Sequence, residues 1–447
     1  MMKQRLFLLL GIFLPSLIHP QASQTDFSGG IFSQAGLALP NSGQEGDFLT
    51  GESQTQCSLS LSSGESRAFI DGSISFDALK AQAAGQRADF VSGDSALSLQ
   101  LKEAWADWDG GFWAVRIGRQ ISAWGQADGL QVTDILCPKD ETSLIARDYA
   151  DSRLGIDAAR LSLKSQRFLV DAYWIPFFTP SSLPLTEGNP LKKVLFPREV
   201  LAGKQLIPVN DIGGENLLLP QQKITSSEGA VKISAYLPMA DFSLYGFYGY
   251  EREPLLLYQL EKDEEGRPES LSLYGDYERL LMVGADTAIP VKELLLRLEA
   301  AFFPSRHFSA DFANQVFYGE KTVRQNQLLA LAGLDWMPSG WTITAQYYAD
   351  YIFSKSDKVE RKAYLHQASL SLSKSFLQES LKLSLSGVLG LNEFDSMVSG
   401  DISYSLSDLI TLTIGADIFS KGQDGEKGFY GAYKDLSCAY LKAQCKW

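Results

Sequence analysis

Leu436-Ser-Cys-Ala-Tyr-Leu-Lys-Ala-Gln-Cys-Lys446-Trp447 closes the chain and decides how the rest of it is read. Ala439, Leu441, Ala443, Cys445 and Trp447 are apolar, Lys442, Gln444 and Lys446 between them are polar, and Tyr440 is amphipathic. A period of two marks a strand with one oily and one wet face, because successive side chains of an extended chain point to opposite sides. A strand that stays apolar to a terminal Trp needs an apolar medium to receive it. The closing strand of a bacterial outer-membrane barrel ends this way, with an aromatic at the membrane–water girdle. The edge of a soluble sandwich is the alternative that this segment alone leaves open.

The other end of the chain weighs on that choice. Met1-Met-Lys3-Gln-Arg5 is short and basic, Leu6 to Leu17 is almost wholly apolar, and Pro20-Gln-Ala-Ser23 offers small residues for cleavage. The pattern predicts a secretory signal peptide over residues 1–22, too short and wrongly flanked for a stable membrane span. The first cysteine is Cys57, so no lipid-anchored cysteine follows the cleavage site. Beyond residue 23 no run of 18 apolar residues occurs, which argues against helical spans. An exported chain of this kind either stays soluble or crosses the outer membrane as strands.

Composition fits the second case. Apolar residues make up 45% and mean hydropathy is −0.07, as expected when a polar lumen and a lipid-facing wall average out. A formal charge of −13, which becomes more negative once Lys3 and Arg5 are removed, argues against nucleic acid as a partner. Four cysteines (Cys57, Cys137, Cys438 and Cys445) are too few and too scattered for a disulfide scaffold. Cys57 and Cys445 fall on apolar parities, where a small hydrophobe facing lipid is expected. His307 and His366 alone follow the leader, too few for histidine-based metal or triad chemistry, and no cofactor is expected.

Period-two segments recur along the chain. Leu97, Leu99 and Leu101 alternate with Ser98, Gln100 and Lys102; Trp341, Ile343, Ala345 and Tyr347 alternate with Thr342, Thr344 and Gln346; Ile410, Leu412, Ile414 and Ala416 alternate with Thr411, Thr413 and Gly415. The connections alternate as well. Short turns are predicted at Gly64-Glu65, Asp109-Gly110-Gly111, Lys164-Ser165-Gln166, Pro238-Met239, Ile289-Pro290, Met337-Pro338-Ser339-Gly340, Gln378-Glu379 and Ser407-Asp408. Between them lie mostly longer polar stretches at 38–54, 79–95, 121–151, 177–226, 253–269, 304–325, 354–362, 392–395 and 420–435. Short connections at one end and long ones at the other are how outer-membrane barrels arrange periplasmic turns and external loops, an asymmetry that a sandwich has no reason to keep. The count predicts an all-β, up-and-down antiparallel transmembrane barrel over residues 23–447 with about 18 strands. Sixteen is the alternative, because the segments near 27–37 and 396–406 are weak. The closing strand should pair with the first, near 27–37, to leave no open edge.

Two stretches break the pattern. Residues 177–226 hold Pro180, Pro184, Pro190, Pro197, Pro208 and Pro220, a density that rules out a paired central strand. Such a loop either caps the pore or folds inward. Residues 121–151 carry the most distinctive sequence. Gly118-Arg119-Gln120 ends a strand, followed by Trp124-Gly125, Ala127-Asp128-Gly129, Val132-Thr133-Asp134, Pro138-Lys139-Asp140, Arg147-Asp148-Tyr149 and Asp151-Ser152-Arg153-Leu154-Gly155. Over residues 103–161 this resembles a broad group of porin-like outer-membrane proteins, similar in general plan to the alginate-export barrels. Their hallmark is a strand ending Gly-Arg-Gln, a nearby Trp-Gly, then an Asp and an Asn-Pro-x-Asp; Cys137 stands here where that Asn would be. The resemblance implies a barrel that acts as a channel and implies no substrate.

Strand parity turns Arg116 toward the lumen, opposite Trp113, Val115 and Ile117. Arg116, Arg119, Asp128, Asp134, Asp140, Arg147, Asp148, Asp151, Arg153 and Arg160 are therefore the candidates for a pore constriction. Acids and bases facing each other across a narrow pore would select solutes by size and charge. Equally, such ions can brace a folded-in loop against the wall, since buried charges must be paired or wetted. Leu154, Ile156 and Ala158 share one parity while Leu161 and Leu163 take the other, so a bulge is expected between them, which leaves open whether Arg153 or Arg160 points inward. Phe242, Leu244, Tyr248 and Tyr250, with Tyr245 and Phe247 on the other parity, suit wall and girdle packing better than a solute track.

The functions that follow are a passive or substrate-selective outer-membrane channel for small solutes, or a surface-exposed structural or adhesion barrel working through its long loops. Enzymatic chemistry lacks a recognisable nucleophile and base. The partners expected are outer-membrane lipid, small solutes and the barrel-assembly machinery, the last through the strand ending in Trp447.

Overall fold

In the computed structural model, residues 24–40, 46–80, 96–127, 129–130, 132–143, 152–202, 205–210, 212–359, 361–423 and 428–447 are described. Their dominant feature is one 18-stranded sheet in which each barrel strand pairs antiparallel with its neighbours. It is closed by pairing of the first strand, Gln24–Ala38, with the last, Cys438–Lys446. The register runs from Gly30 opposite Lys446 to Ala38 opposite Cys438. Backbone bonds between Gly29 and Trp447, at 3.0 Å in both directions, carry the seam to the last residue. The Trp447 ring lies over Gly29, where an added Cβ would come within 2.8 Å of it.

The distribution of side chains is inverted relative to a water-soluble protein. On the outer face Leu99 is 70% exposed, Leu441 63% and Phe27 61%, whereas inside Asp417, Glu299 and Asp107 are 0%, 3% and 4% exposed. A wall that presents leucines outward and encloses its carboxylates requires a hydrocarbon surround. Exposed aromatics gather at the turn end: Phe112 and Trp113, Phe168, Tyr236, Trp336 and Trp341, Phe376 and Tyr404, with Trp447 beside them. Phe48, Trp174, Tyr248, Tyr351 and Tyr364 are exposed toward the loop end. Two such belts match the two membrane–water interfaces.

The short turns fall where the sequence places them, with one exception. Ile289 and Pro290 remain in the strand Arg279–Val291, opposite Leu296 and Leu295, and the chain reverses at Lys292-Glu293. Lys292 takes the positive φ (56°) that a two-residue hairpin demands, and Pro290 is tolerated near the strand end. Several loops are also shorter than predicted, because the strands project beyond the membrane. The strands Leu294–Ser309 and Thr322–Trp336 consume both ends of the stretch 304–325 and leave a helix, Phe312–Tyr318, capped by Asp311. The stretch 253–269 is no plain loop. Leu255–Lys262 and Pro268–Asp276 form a hairpin outside the barrel.

The proline-rich stretch crosses the mouth. It leaves the barrel after the strand Phe168–Ile175 and returns at Glu228–Tyr236, yet its middle, Leu191, Val194 and Leu195, packs on Ala38, Leu49, Leu436 and Tyr440. Those residues belong to the opposite side of the ring. Phe196 and Ile212 pack with Leu273 of the outer hairpin, and Ser182 bonds backbone to backbone with Lys139 and Glu141. This lid therefore joins three loops into one cap. A cavity of about 730 Å³ opens at its edge, between Phe48, Lys193, Arg198, Asn210 and Leu273.

Candidate functional site

The loop that follows Gln120 turns back into the barrel and divides its interior. Trp124, Val132, Ile135, Leu136 and Cys137 are buried against Ile156, Tyr173, Phe247, Met282, Phe303 and Leu329 of the wall. Inner-face residues are apolar on this side because they meet protein rather than water. The same fact removes the expected bulge. The strand Ile156–Lys164 pairs without interruption on both sides. Ile156 and Ala158 face inward under the loop, while Leu161 and Leu163 are exposed outward. Tyr245 and Phe247 are likewise buried beneath the loop, with Phe242, Leu244 and Tyr248 outward.

The remaining wall is lined differently. From the strand Tyr364–Phe376 round through the seam to Ser66–Asp77, the inward parity carries Ser369, Ser371, Ser384, Ser403, Thr413, Lys442, Gln54 and Gln56, small or polar groups that leave room for water. Hydrogen bonds link them across strands, as from Gln56 to Asp71 at 2.8 Å and between Ser403 and Thr413 at 2.9 Å.

A row of charges stands where the two halves meet. Arg67 is opposite Asp107, Asp107 opposite Arg116, and Arg116 opposite Arg160, on four consecutive strands. Asp107 accepts from Arg67 at 3.1 and 3.2 Å and from Arg116 at 2.8 Å. Arg116 also lies 3.5 Å above the centre of the Trp105 ring. Arg160 Nε is 4.0 Å from Asp171. The row counts three guanidinium groups to two carboxylates, with the Glu103 carboxyl also near Arg116, and the Arg67 side chain is 54% exposed at its edge.

The other candidate residues are placed elsewhere. Arg119 shares the outward parity of Leu161 and Leu163 and is held bidentately by Asp157 at 2.9 Å. A two-residue period allows nothing else once Gly118 and Gln120 face inward. Arg153 precedes its strand and lies buried against Asp134 at 2.8 Å, so of the two arginines in question Arg160 is the one that faces the lumen. Asp134 also accepts from the Trp124 amide at 3.1 Å. Asp140 accepts from the Thr142 amide and hydroxyl and is bridged to Ser182. Asp134, Asp140 and Arg153 thus brace the loop. Asp128, Arg147, Asp148 and Asp151 lie outside the described residues, as does the stretch 1–22.

Several residues that hold the loop escape the sequence. Glu299 accepts from the amides of Gln126, Ala127 and Thr133, at 2.8, 2.9 and 2.7 Å, and from the Thr133 hydroxyl at 2.6 Å. Arg297 donates to the Gln126 carbonyl and to Asp335, each at 2.6 Å. Tyr245 accepts from the Gly125 amide and donates to Asp286. Arg252 reaches the Leu136 carbonyl at 3.1 Å while paired with buried Glu228 at 2.9 Å. Arg297 and Glu299 alternate with Leu296, Leu298 and Ala300, and that wet face marks them as inward. Nothing local shows that their partner lies more than 160 residues away. Each charge-assisted bond of this kind contributes about 1.5–3 kcal/mol.

No protein-family model matches this sequence, and no curated protein resembles it in sequence. Solved structures resemble it in fold. The Pseudomonas aeruginosa protein OccK8 (OprE) superposes with a TM-score of 0.53 at 8% identity, covering 95% of this chain and 98% of that one. OpdK from the same organism, solved with vanillate, gives 0.51 at 8% identity over 95% and 98%. OccK2 (OpdF), solved in complex with glucuronate, gives 0.50 at 7% identity over 95% and 97%. At such identities the likeness establishes a shared barrel architecture.

Proposed function

We propose that the protein is an outer-membrane channel through which small polar solutes diffuse, selected by width and charge beside the folded-in loop. One observation carries this. The lumen is split into a half filled by the loop and a half lined by serine, threonine and glutamine, with the Arg67–Arg116–Arg160 row between them. A purely structural barrel has no need to keep half its interior small and polar. The cavity of about 730 Å³ at the edge of the lid is large enough for a small solute.

The ligands in two of the similar structures, glucuronate and vanillate, are small carboxylates. They support the reading that guanidinium groups beside the conduit meet anionic solutes. The Gly118-Arg119-Gln120 and Trp124-Gly125 elements support an alginate-export-like plan within it. Residues 1–22 act as a cleaved signal peptide, and the strand ending in Trp447 is the element that the assembly machinery receives. Lipid is the partner of the leucine-rich outer wall.

The experiment is reconstitution of the purified protein in a planar bilayer. Discrete conductance steps are expected. A silent bilayer from protein that still shows heat-modifiable mobility on a gel would overturn the channel and favour a surface role for the loops.

A further inference from the structure

We propose that Glu299 is the latch that holds the loop 121–137 inside the barrel and thereby sets the width of the conduit. Only the second half of that statement rests on the channel function. Glu299 sits on the strand Leu294–Ser309, and its carboxylate takes four hydrogen bonds from a single loop, two through Gln126 and Ala127 and two through Thr133. A carboxylate offers about four lone-pair positions, so the loop saturates this one. Three backbone amides converging on one anion form the kind of nest that binds carboxylates and phosphates. Here the anion is supplied by the wall.

Both surfaces are cut to fit. Gly125 has φ +79°, and an added Cβ would stand 2.5 Å from Glu299 Oε1. Across the contact, a Cβ on Gly284 would strike the Thr133 methyl at 2.7 Å. Arg297 lies two residues from Glu299 on the same inward parity and grips the Gln126 carbonyl. If the loop leaves, the carboxylate loses its donors in a buried position, and three loop amides lose their acceptor. The docked arrangement is therefore favoured as a whole or lost as a whole. Apolar packing of Trp124, Val132 and Leu136 against the wall is the competing way to hold the loop.

The test uses the full-length protein with Cys57, Cys438 and Cys445 replaced by Ala, so that buried Cys137 on the loop is its single thiol. Glu299→Gln keeps the shape, removes the charge and turns an amide NH2 toward the donors. Gly125→Ala disturbs the same contact from the loop side and carries the test if the first variant fails to fold. With heat-modifiable folding retained, both variants are expected to gain maleimide labelling at Cys137 and larger conductance steps than the parent. Folded variants in which Cys137 stays as shielded as in the parent would overturn the latch, leaving apolar packing to hold the loop. Gain of labelling alongside a parent silent in the bilayer would support the latch while removing the channel function.

Discussion

At the scale of single residues, Asp107 carries the sharpest consequence. It is 4% exposed and shared by Arg67 and Arg116, so it fixes two guanidinium groups at the boundary of the polar half. Asp107→Asn keeps the shape and removes the charge, leaving the row more cationic. Measured as reversal potential across a salt gradient, the channel should shift toward anions; an unmoved potential would mean that the row does not face the permeating ions. Arg116 was legible from parity alone, since Trp113, Val115 and Ile117 face away. Glu299 was legible as an inward charge but not as an anchor, because its donors come from the backbone of a distant loop and leave no mark on side-chain identity.

Among the elements, the closing strand has the clearest role. Cys438–Lys446 pairs with Gln24–Ala38 on one side and Ile410–Ser420 on the other, so its removal exposes two ladders of unpaired amides and carbonyls in hydrocarbon. Deleting residues 438–447 should abolish assembly, read as loss of heat-modifiable mobility; a truncated chain that still folds would move the seam elsewhere. Alternation in the sequence sufficed to find such strands, because lipid outside and water inside impose the period. It was less informative where both faces meet protein. Ile156 and Ala158 read as a change of register because their apolar surroundings are supplied by the loop after Gln120. The hairpin of Leu255–Lys262 and Pro268–Asp276 was hidden for a related reason, since an extension above the membrane has no lipid-facing parity to display.

For the whole molecule, the cap of three loops is where pH should act. Burial and the neighbouring Glu253 carboxyl push the Glu141 carboxyl up to about 8. A folded-state value raised above the unfolded one means that the cap binds the proton more tightly than the open loops do. The contact between the loops 121–155 and 251–278 is therefore strongest at acid pH. It weakens as pH rises from the ordinary glutamate value through about 8, and changes little beyond that. Protease sensitivity of the cap, compared between pH 5 and pH 9, should increase at the higher value, and by less in Glu253→Gln, where burial of Glu141 remains as the cause. Equal sensitivity at both pH values in the parent would exclude the pair as its cause.

The seat of the lid has a different consequence, one of timing. Leu191, Val194 and Leu195 rest on Ala38 and Leu49 from the start of the chain and on Leu436 and Tyr440 from its end. That surface comes into being only when the two margins of the sheet have met. Docking of the lid on this seat thus follows closure of the ring, and a seated lid records that the ring beneath it is already whole.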